Sequence, residues 1–143
     1  MIYITKRVSF SAAHRLYNPS KSEAENEALY DKCNNYNGHG HNYVLEVTLC
    51  GVPDPESGYL MDLKKLKALL NDIIVSKVDH KHLNFDVDFL QGIIPTVENL
   101  AITFWKLLEN ELDNCKLYEI KLSETENSWA VYRGEPIDIK KFQ

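Results

Sequence analysis

The sequence has little of what would place it quickly. It holds three cysteines, Cys33, Cys50 and Cys115, an odd number, widely spaced and without a C-x-x-C pair. That is a poor disulfide framework and cannot supply a thiolate-rich structural metal knot, so the expected setting is a reducing cytoplasm. Positive charge is also scarce: 16 Lys and Arg against 21 Asp and Glu give a formal net charge of −5. This argues against a non-specific nucleic-acid binder, which needs a basic footprint. It leaves an anionic small substrate open, because a few local cations suffice for that. No apolar run approaches the roughly 20 residues of a membrane span. The opening MIYITKRVSFS lacks the basic-then-apolar order of a secretory leader. There is no internal repeat and no low-complexity linker. What remains, 143 residues with 44% hydrophobic and 26% charged, fits one domain over residues 1–143 with a proper core.

Periodicity organises this chain. From Ile2 to His14 the even positions Ile2, Ile4, Val8, Phe10 and Ala12 are apolar, the period of a strand, with Lys6 the exception. Residues 18–32 turn polar and acidic and read as a long loop with room for a short helix. A second strand is expected from Gly38 to Cys50, with His39, His41, Tyr43, Leu45, Val47 and Leu49 on one face. GVPDPESG (51–58) is a connection. Asp62 caps a helix with a stripe of Leu63, Leu66, Leu70, Ile73 and Ile74. Residues 78–95 show no period and read as an ordered loop. Thr96 caps a second helix carrying Val97, Leu100, Ala101, Phe104, Leu107 and Leu108. Alternation returns at 117–124, Glu126-Asn127 makes a turn, and Trp129 to Arg133 forms the last strand. The order ββααββ predicts an α+β domain: a four-stranded antiparallel sheet with two helices packed on one face. A sheet this small leaves edges that invite association.

The strongest chemical signal is His39-Gly40-His41. Residues i and i+2 of a strand leave the same face roughly 7 Å apart, near enough to converge on one ion. His14 ends the first strand on the parity of Val8, Phe10 and Ala12, so pairing of the two strands would bring three imidazoles together. Three rings on apolar-parity faces each need a partner, and one metal answers all three needs. Three nitrogen ligands with an open place is the arrangement of catalytic zinc. Cys33, six residues before His39, is either a general base held as thiolate beside a metal or a fourth ligand, and spacing leaves both open. Asp79-His80 offers a carboxylate and an imidazole for proton shuttling, with His82 able to replace His80. Glu124 shares parity with Tyr118, Ile120 and Leu122 and can accept two parallel N–H bonds from a guanidine-like edge.

Taken together, FSAAHRL (10–16), CNNYNGHGHNY (33–43), VDHKHLN (78–84), TVEN (96–99) and SETEN (123–127) resemble the 6-pyruvoyl-tetrahydropterin synthases and their bacterial relatives. The resemblance runs in order from Ile2 to Glu135. It implies the tunnelling fold (T-fold), assembled as a homo-hexamer of two trimers with active sites at subunit interfaces, and the substrate 7,8-dihydroneopterin triphosphate. It implies Zn2+ on His14, His39 and His41, Cys33 as proton acceptor, and Asp79 and His80 as a relay contributed by a neighbouring subunit. Glu124 would anchor the pterin, and Thr96 and Glu98 fall in a second pterin-contacting segment. Lys32, Arg15 and Arg133 are candidates for gripping the triphosphate. The expected reaction is triphosphate elimination to 6-pyruvoyl-tetrahydropterin, in tetrahydrobiopterin biosynthesis. The alternatives are a 6-carboxytetrahydropterin synthase of queuosine biosynthesis, releasing acetaldehyde, and a pterin- or zinc-binding T-fold module without turnover. The six-residue step from Cys33 to His39 matches the pyruvoyl-forming enzymes, whereas Val97 stands where these often have a second threonine.

Overall fold

The computed structural model describes residues 1–143. Strand β1 (Ile2–His14) and strand β2 (His39–Gly51) pair antiparallel along their whole length, from Ile2 opposite Gly51 to His14 opposite His39. Alternation decides which side faces inward. Val8, Phe10, Ala12 and His14 are buried on β1, and Tyr43, Leu45, Val47 and Leu49 on β2. Cross-strand neighbours then pack: Phe10 stacks on Tyr43 with ring centroids 4.9 Å apart. Strand β4 (Lys116–Thr125) pairs antiparallel with β2, and β5 (Ser128–Tyr132) antiparallel with β4.

The sheet has five strands where four were expected, in the order β3 (Lys81–His82), β1, β2, β4, β5. The addition is β3 (Lys81–His82), a two-residue strand parallel to β1. Two residues cannot display a period of two. The piece is instead held by backbone, with His80 N donating to Ser11 O at 2.6 Å and Leu83 N to Ala13 O at 2.7 Å.

Helices cover the inner face. Helix α2 (Leu63–Leu70) starts at Asp62, whose carboxylate accepts from Lys64 N at 2.8 Å. It runs on through a wide π-turn (Asn71–Val75) into a last turn (Ser76–Val78). Leu66, Leu70, Ile74 and Val78 are all buried, a stripe spaced strictly by four. Four residues of an α-helix overshoot a full turn by about 40°, so such a stripe drifts; the wider π-turn takes the drift back and keeps all four on the sheet. Helix α3 (Val97–Leu108) is capped by Thr96 and buries Leu100, Ala101, Phe104 and Leu108 against β4 and β5.

A third helix, α1 (Glu23–Tyr30), occupies the acidic stretch between β1 and β2. Ser22 and Glu25 form a capping box: Glu25 N donates to Ser22 Oγ and Ser22 N to Glu25 Oε1. Only Asn26 of this helix is buried, which explains why no apolar stripe marks it in the sequence. Asn26 instead ties the preceding loop together through hydrogen bonds with Asn18, Lys21 and Ser22.

Candidate functional site

The β1–β2 register sets His14 opposite His39 and Ala12 opposite His41, so three rings meet at one end of the inner face. Ring centroids lie 4.6 Å apart for His14 and His39, 5.1 Å for His14 and His41, and 4.9 Å for His39 and His41. The fourth member is Glu124. On β4 it is the extra residue of a bulge, since Ser123 faces Trp129 and Thr125 already faces Ser128. A bulge re-aims a side chain at a sheet end, and here Glu124 Oε1 comes to 3.3 Å from His14 Nε2 and 3.0 Å from His41 Nε2.

One ligand atom from each of these four residues lies within 4.8 Å of the other three. His14 Nε2 and His39 Nε2 are 3.0 Å apart. A tetrahedral ion bonded at about 2.0–2.1 Å separates neighbouring ligand atoms by about 3.3 Å, so these spacings suit a metal. His14 is fixed for the task. A carbonyl can only accept, so the 2.8 Å contact of Nδ1 with Pro95 O places the proton on Nδ1 and leaves the Nε2 lone pair facing the cluster. His41 supplies the sharper test. Its Nε2 is buried and has no hydrogen-bond partner, because the approach of Glu124 lacks hydrogen-bond direction. An orphaned buried nitrogen is costly unless something binds it, and a metal ion fits the set.

Electrostatics agree. Burial first, then repulsion from His39, His41 and His82, bring His14 down to about 4, against the hydrogen bond to Pro95 O, which raises it. Burial likewise lowers His41 against the opposing pull of Glu124, and lowers His82 against that of Asp86. Neutral imidazoles are the form that binds metal.

The other expected residues fall into distinct places. Cys33 sits half-buried in a 3-10 turn (Asp31–Asn34), with Leu16 N donating to its carbonyl at 2.8 Å. Its sulfur is not a member of the four-atom cluster, where the fourth donor is Glu124. Asp79 and His80 do touch: Asp79 Oδ2 lies 2.9 Å from His80 Nδ1, while Oδ1 accepts from Ser11 N at 2.9 Å. These bonds hold the Asp79 carboxyl below its ordinary value, the one from Ser11 N foremost. His80 has a positive φ of 60° and a side chain 82% exposed. Ser11, Ala13, Gly40, His41, His80 and His82 line one groove of about 450 Å³, and Gly40 leaves its floor free of a side chain.

Thr96 spends a lone pair capping α3, accepting from Asn99 N at 3.2 Å, and Glu98 is exposed in the first turn. Arg133 donates from Nε and Nη2 to Glu119 at 2.9 Å each, which commits it to a surface ion pair instead of an open anion grip. Arg15 lies between the Tyr17 and Tyr36 rings and donates to Asn34 O, and Lys32 shares a groove with it. Sequence reasoning did not identify Pro95, which orients His14, or Asn84, whose side chain bonds both backbone groups of Arg15. The first acts through its carbonyl, which no residue type reveals. The second was visible only as a residue within VDHKHLN.

Comparison with known proteins bears on this geometry. The family model described as 6-pyruvoyl tetrahydropterin synthase matches residues 3–135. A 6-pyruvoyl tetrahydrobiopterin synthase of Dictyostelium discoideum is 46% identical over 134 residues, covering 94% of this chain and 97% of its own. The solved structure of a Caenorhabditis elegans 6-pyruvoyl tetrahydropterin synthase superposes with a TM-score of 0.87 at 42% identity, covering 94% of this chain and 96% of the other. A 6-carboxy-5,6,7,8-tetrahydropterin synthase of Bacillus subtilis (strain 168) is 31% identical over 102 residues, covering 66% of this chain and 67% of its own. With its histidine–glutamate cluster and a match over residues 3–135, the chain belongs to the 6-pyruvoyl tetrahydropterin synthase family.

Proposed function

We propose that this chain is a zinc-dependent carbon–oxygen lyase that converts 7,8-dihydroneopterin triphosphate to 6-pyruvoyl-tetrahydropterin with elimination of triphosphate. The observation that carries this reading is the convergence of His14, His39 and His41, with His41 Nε2 orphaned in a buried cluster. The family and the stronger match to the pyruvoyl-forming relative support the choice of reaction.

His14, His39 and His41 would hold the zinc. Bound there, it supplies a Lewis acid for the oxygens of the substrate side chain, which acidifies the neighbouring C–H bonds. Cys33 takes a proton as thiolate. Asp79 grips His80 through Nδ1, leaving Nε2 of the exposed ring to pass a proton on. Glu124, in this reading outside the zinc's ligand set although it borders the cluster, accepts the amino and ring N–H groups of the pterin with its two oxygens. Thr96 retains its O–H for a ligand after capping α3, and Glu98 stands two residues further along, exposed in the first turn.

The working unit is a homo-hexamer, a dimer of trimers, in the cytoplasm. The outer edge of β5 has no strand partner within the chain, and an exposed His80 is suited to a neighbouring subunit's site. No helix is long and apolar enough to cross a membrane.

The decisive experiment incubates the protein with 7,8-dihydroneopterin triphosphate, identifies the product and measures zinc on the same sample. The expected result is the pyruvoyl product with about one zinc per chain. Acetaldehyde with 6-carboxytetrahydropterin replaces the reaction but keeps the site. Bound zinc without turnover reduces the chain to a binding module. A monomeric mass by light scattering removes the hexamer.

A further inference from the structure

Three parts of the site are joined by side chains to which the reaction assigns no part. After β3 the backbone turns away from β1, with Phe85 N and Asp86 N both donating back to His82 O. At that point Asn84 continues the ladder with its side chain. Its Oδ1 accepts from Arg15 N at 2.8 Å, and its Nδ2 donates to Arg15 O at 2.8 Å. A carboxamide offers an acceptor and a donor in one plane, so Asn84 imitates a strand residue one step beyond His14.

Arg15 extends the constraint. Its Nε donates to Asn34 O at 2.9 Å, and the next residue donates from Leu16 N to Cys33 O at 2.8 Å. The guanidinium carbon lies 4.5 Å from the Tyr17 ring centroid and 5.4 Å from that of Tyr36, which limits where the fork can swing. From the same segment His82 closes on the other side of the turn. A Cβ at Gly38, which holds φ +78°, would sit 2.9 Å from His82 Nε2 and 2.8 Å from His14 O. The turn bearing Cys33 is thus gripped by the stretch that also bears Asp79 and His80.

We propose that Asn84 is a positioning residue: through Arg15 it holds the turn that bears Cys33 in place. This rests on Cys33 being the base in the reading above. Proton transfer needs heavy atoms within hydrogen-bond reach, and a displacement of about 1 Å costs about 10²-fold in rate.

The test compares full-length, zinc-loaded wild type with Asn84→Ala and Asn84→Asp. The aspartate keeps the acceptor for Arg15 N but sets an oxygen against Arg15 O, and its near-identical size keeps the test available where the alanine variant does not fold. Expected are a kcat lower by about 10–100-fold, a KM within about threefold, and unchanged zinc content. Alkylation of Cys33 by iodoacetamide, followed by peptide mass, changes in rate by about fivefold or more. Wild-type kcat and alkylation rate in both variants overturn the proposal. So does a loss carried wholly by KM, which would make Asn84 and Arg15 part of substrate binding. If wild type itself shows no turnover, the lyase reading fails, and the alkylation comparison alone decides the role of Asn84.

Discussion

One face of β1 and β2 is built in two chemistries. Toward one end Leu45, Val47 and Leu49 lie against Ile120 and Leu122, each at most 1% exposed, in a close-packed hydrocarbon layer. Toward the other, with no break in the alternation, the positions become His14, His39 and His41, joined by Glu124. In the first region any apolar neighbour is an adequate partner. In the second each nitrogen needs a directed one, and His41 Nε2 has none. The strand period assigns side chains to a face without regard to chemistry. The apolar end therefore supplies the rigidity that fixes where the donors land, while the polar end carries an unmet requirement that a ligand can satisfy.

The largest effects are expected at the polar end, on activity. His41→Ala removes one metal donor and the orphaned nitrogen together. Zinc content should fall to near zero and turnover by about 10³-fold or more, while the melting temperature of the metal-free protein barely moves. A melting temperature lowered as far as in a core variant would break the comparison, because it would make His41 a packing residue. Cys33→Ala should cost about 10²–10⁴-fold in kcat with zinc retained, since the thiol lies outside the four-atom cluster. Metal analysis separates the two readings of Cys33, and loss of zinc in this variant would return it to the ligand set.

At the apolar end the effects pass to stability. Leu45 is fully buried, and Leu45→Ala should destabilise by about 2–5 kcal/mol, seen as a melting temperature roughly 5–15 °C lower. Acid should act on the other region. His14 is held neutral, down to about 4, chiefly by burial, whereas the unfolded chain titrates near 6.5. A histidine depressed in the folded state favours folding fully above the unfolded value, and that contribution is lost as pH falls from 6.5 toward 4. For the metal-free protein the loss is about 3 kcal/mol, with His41 and His82 shifted in the same direction. Urea midpoints at pH 7, 5.5 and 4.5 in chelator measure it. Leu45→Ala should lower all three by a similar amount. His14→Gln should flatten the dependence, and an unchanged slope in that variant would move the acid sensitivity elsewhere.

The two regions were not equally legible in the sequence. Strands β1 and β2 announced themselves by period, and pairing them brought His14, His39 and His41 together as expected. Helices α2 and α3 were read from caps at Asp62 and Thr96, both of which the structure uses. Features held by backbone were not readable. Strand β3 is too short to alternate, and the grip of Pro95 on His14 runs through a carbonyl. The approach of Glu124 to the histidines depends on a bulge, which adds a residue without leaving a residue-type signature. Helix α1 falls where the sequence shows only a polar, acidic stretch with room for a short helix, and because it buries Asn26 alone no apolar stripe marks it.

The border between the two regions passes through Tyr43, and the smallest predicted effect lies there. Its ring belongs to the core, fully buried and stacked on Phe10, while its hydroxyl lies 3.3 Å from His14 Nδ1. That nitrogen already gives its proton to Pro95 O at the shorter distance of 2.8 Å, so the hydroxyl receives at most a share of it. Tyr43→Phe keeps the stacking and removes only the share. Stability should change by about 1 kcal/mol or less, with zinc content intact and kcat within about threefold of wild type. A pronounced loss of zinc affinity at unchanged stability would show that the hydroxyl, and not the Pro95 carbonyl, sets the His14 tautomer, and the polar region would then reach one residue deeper into the core than its nitrogen atoms suggest.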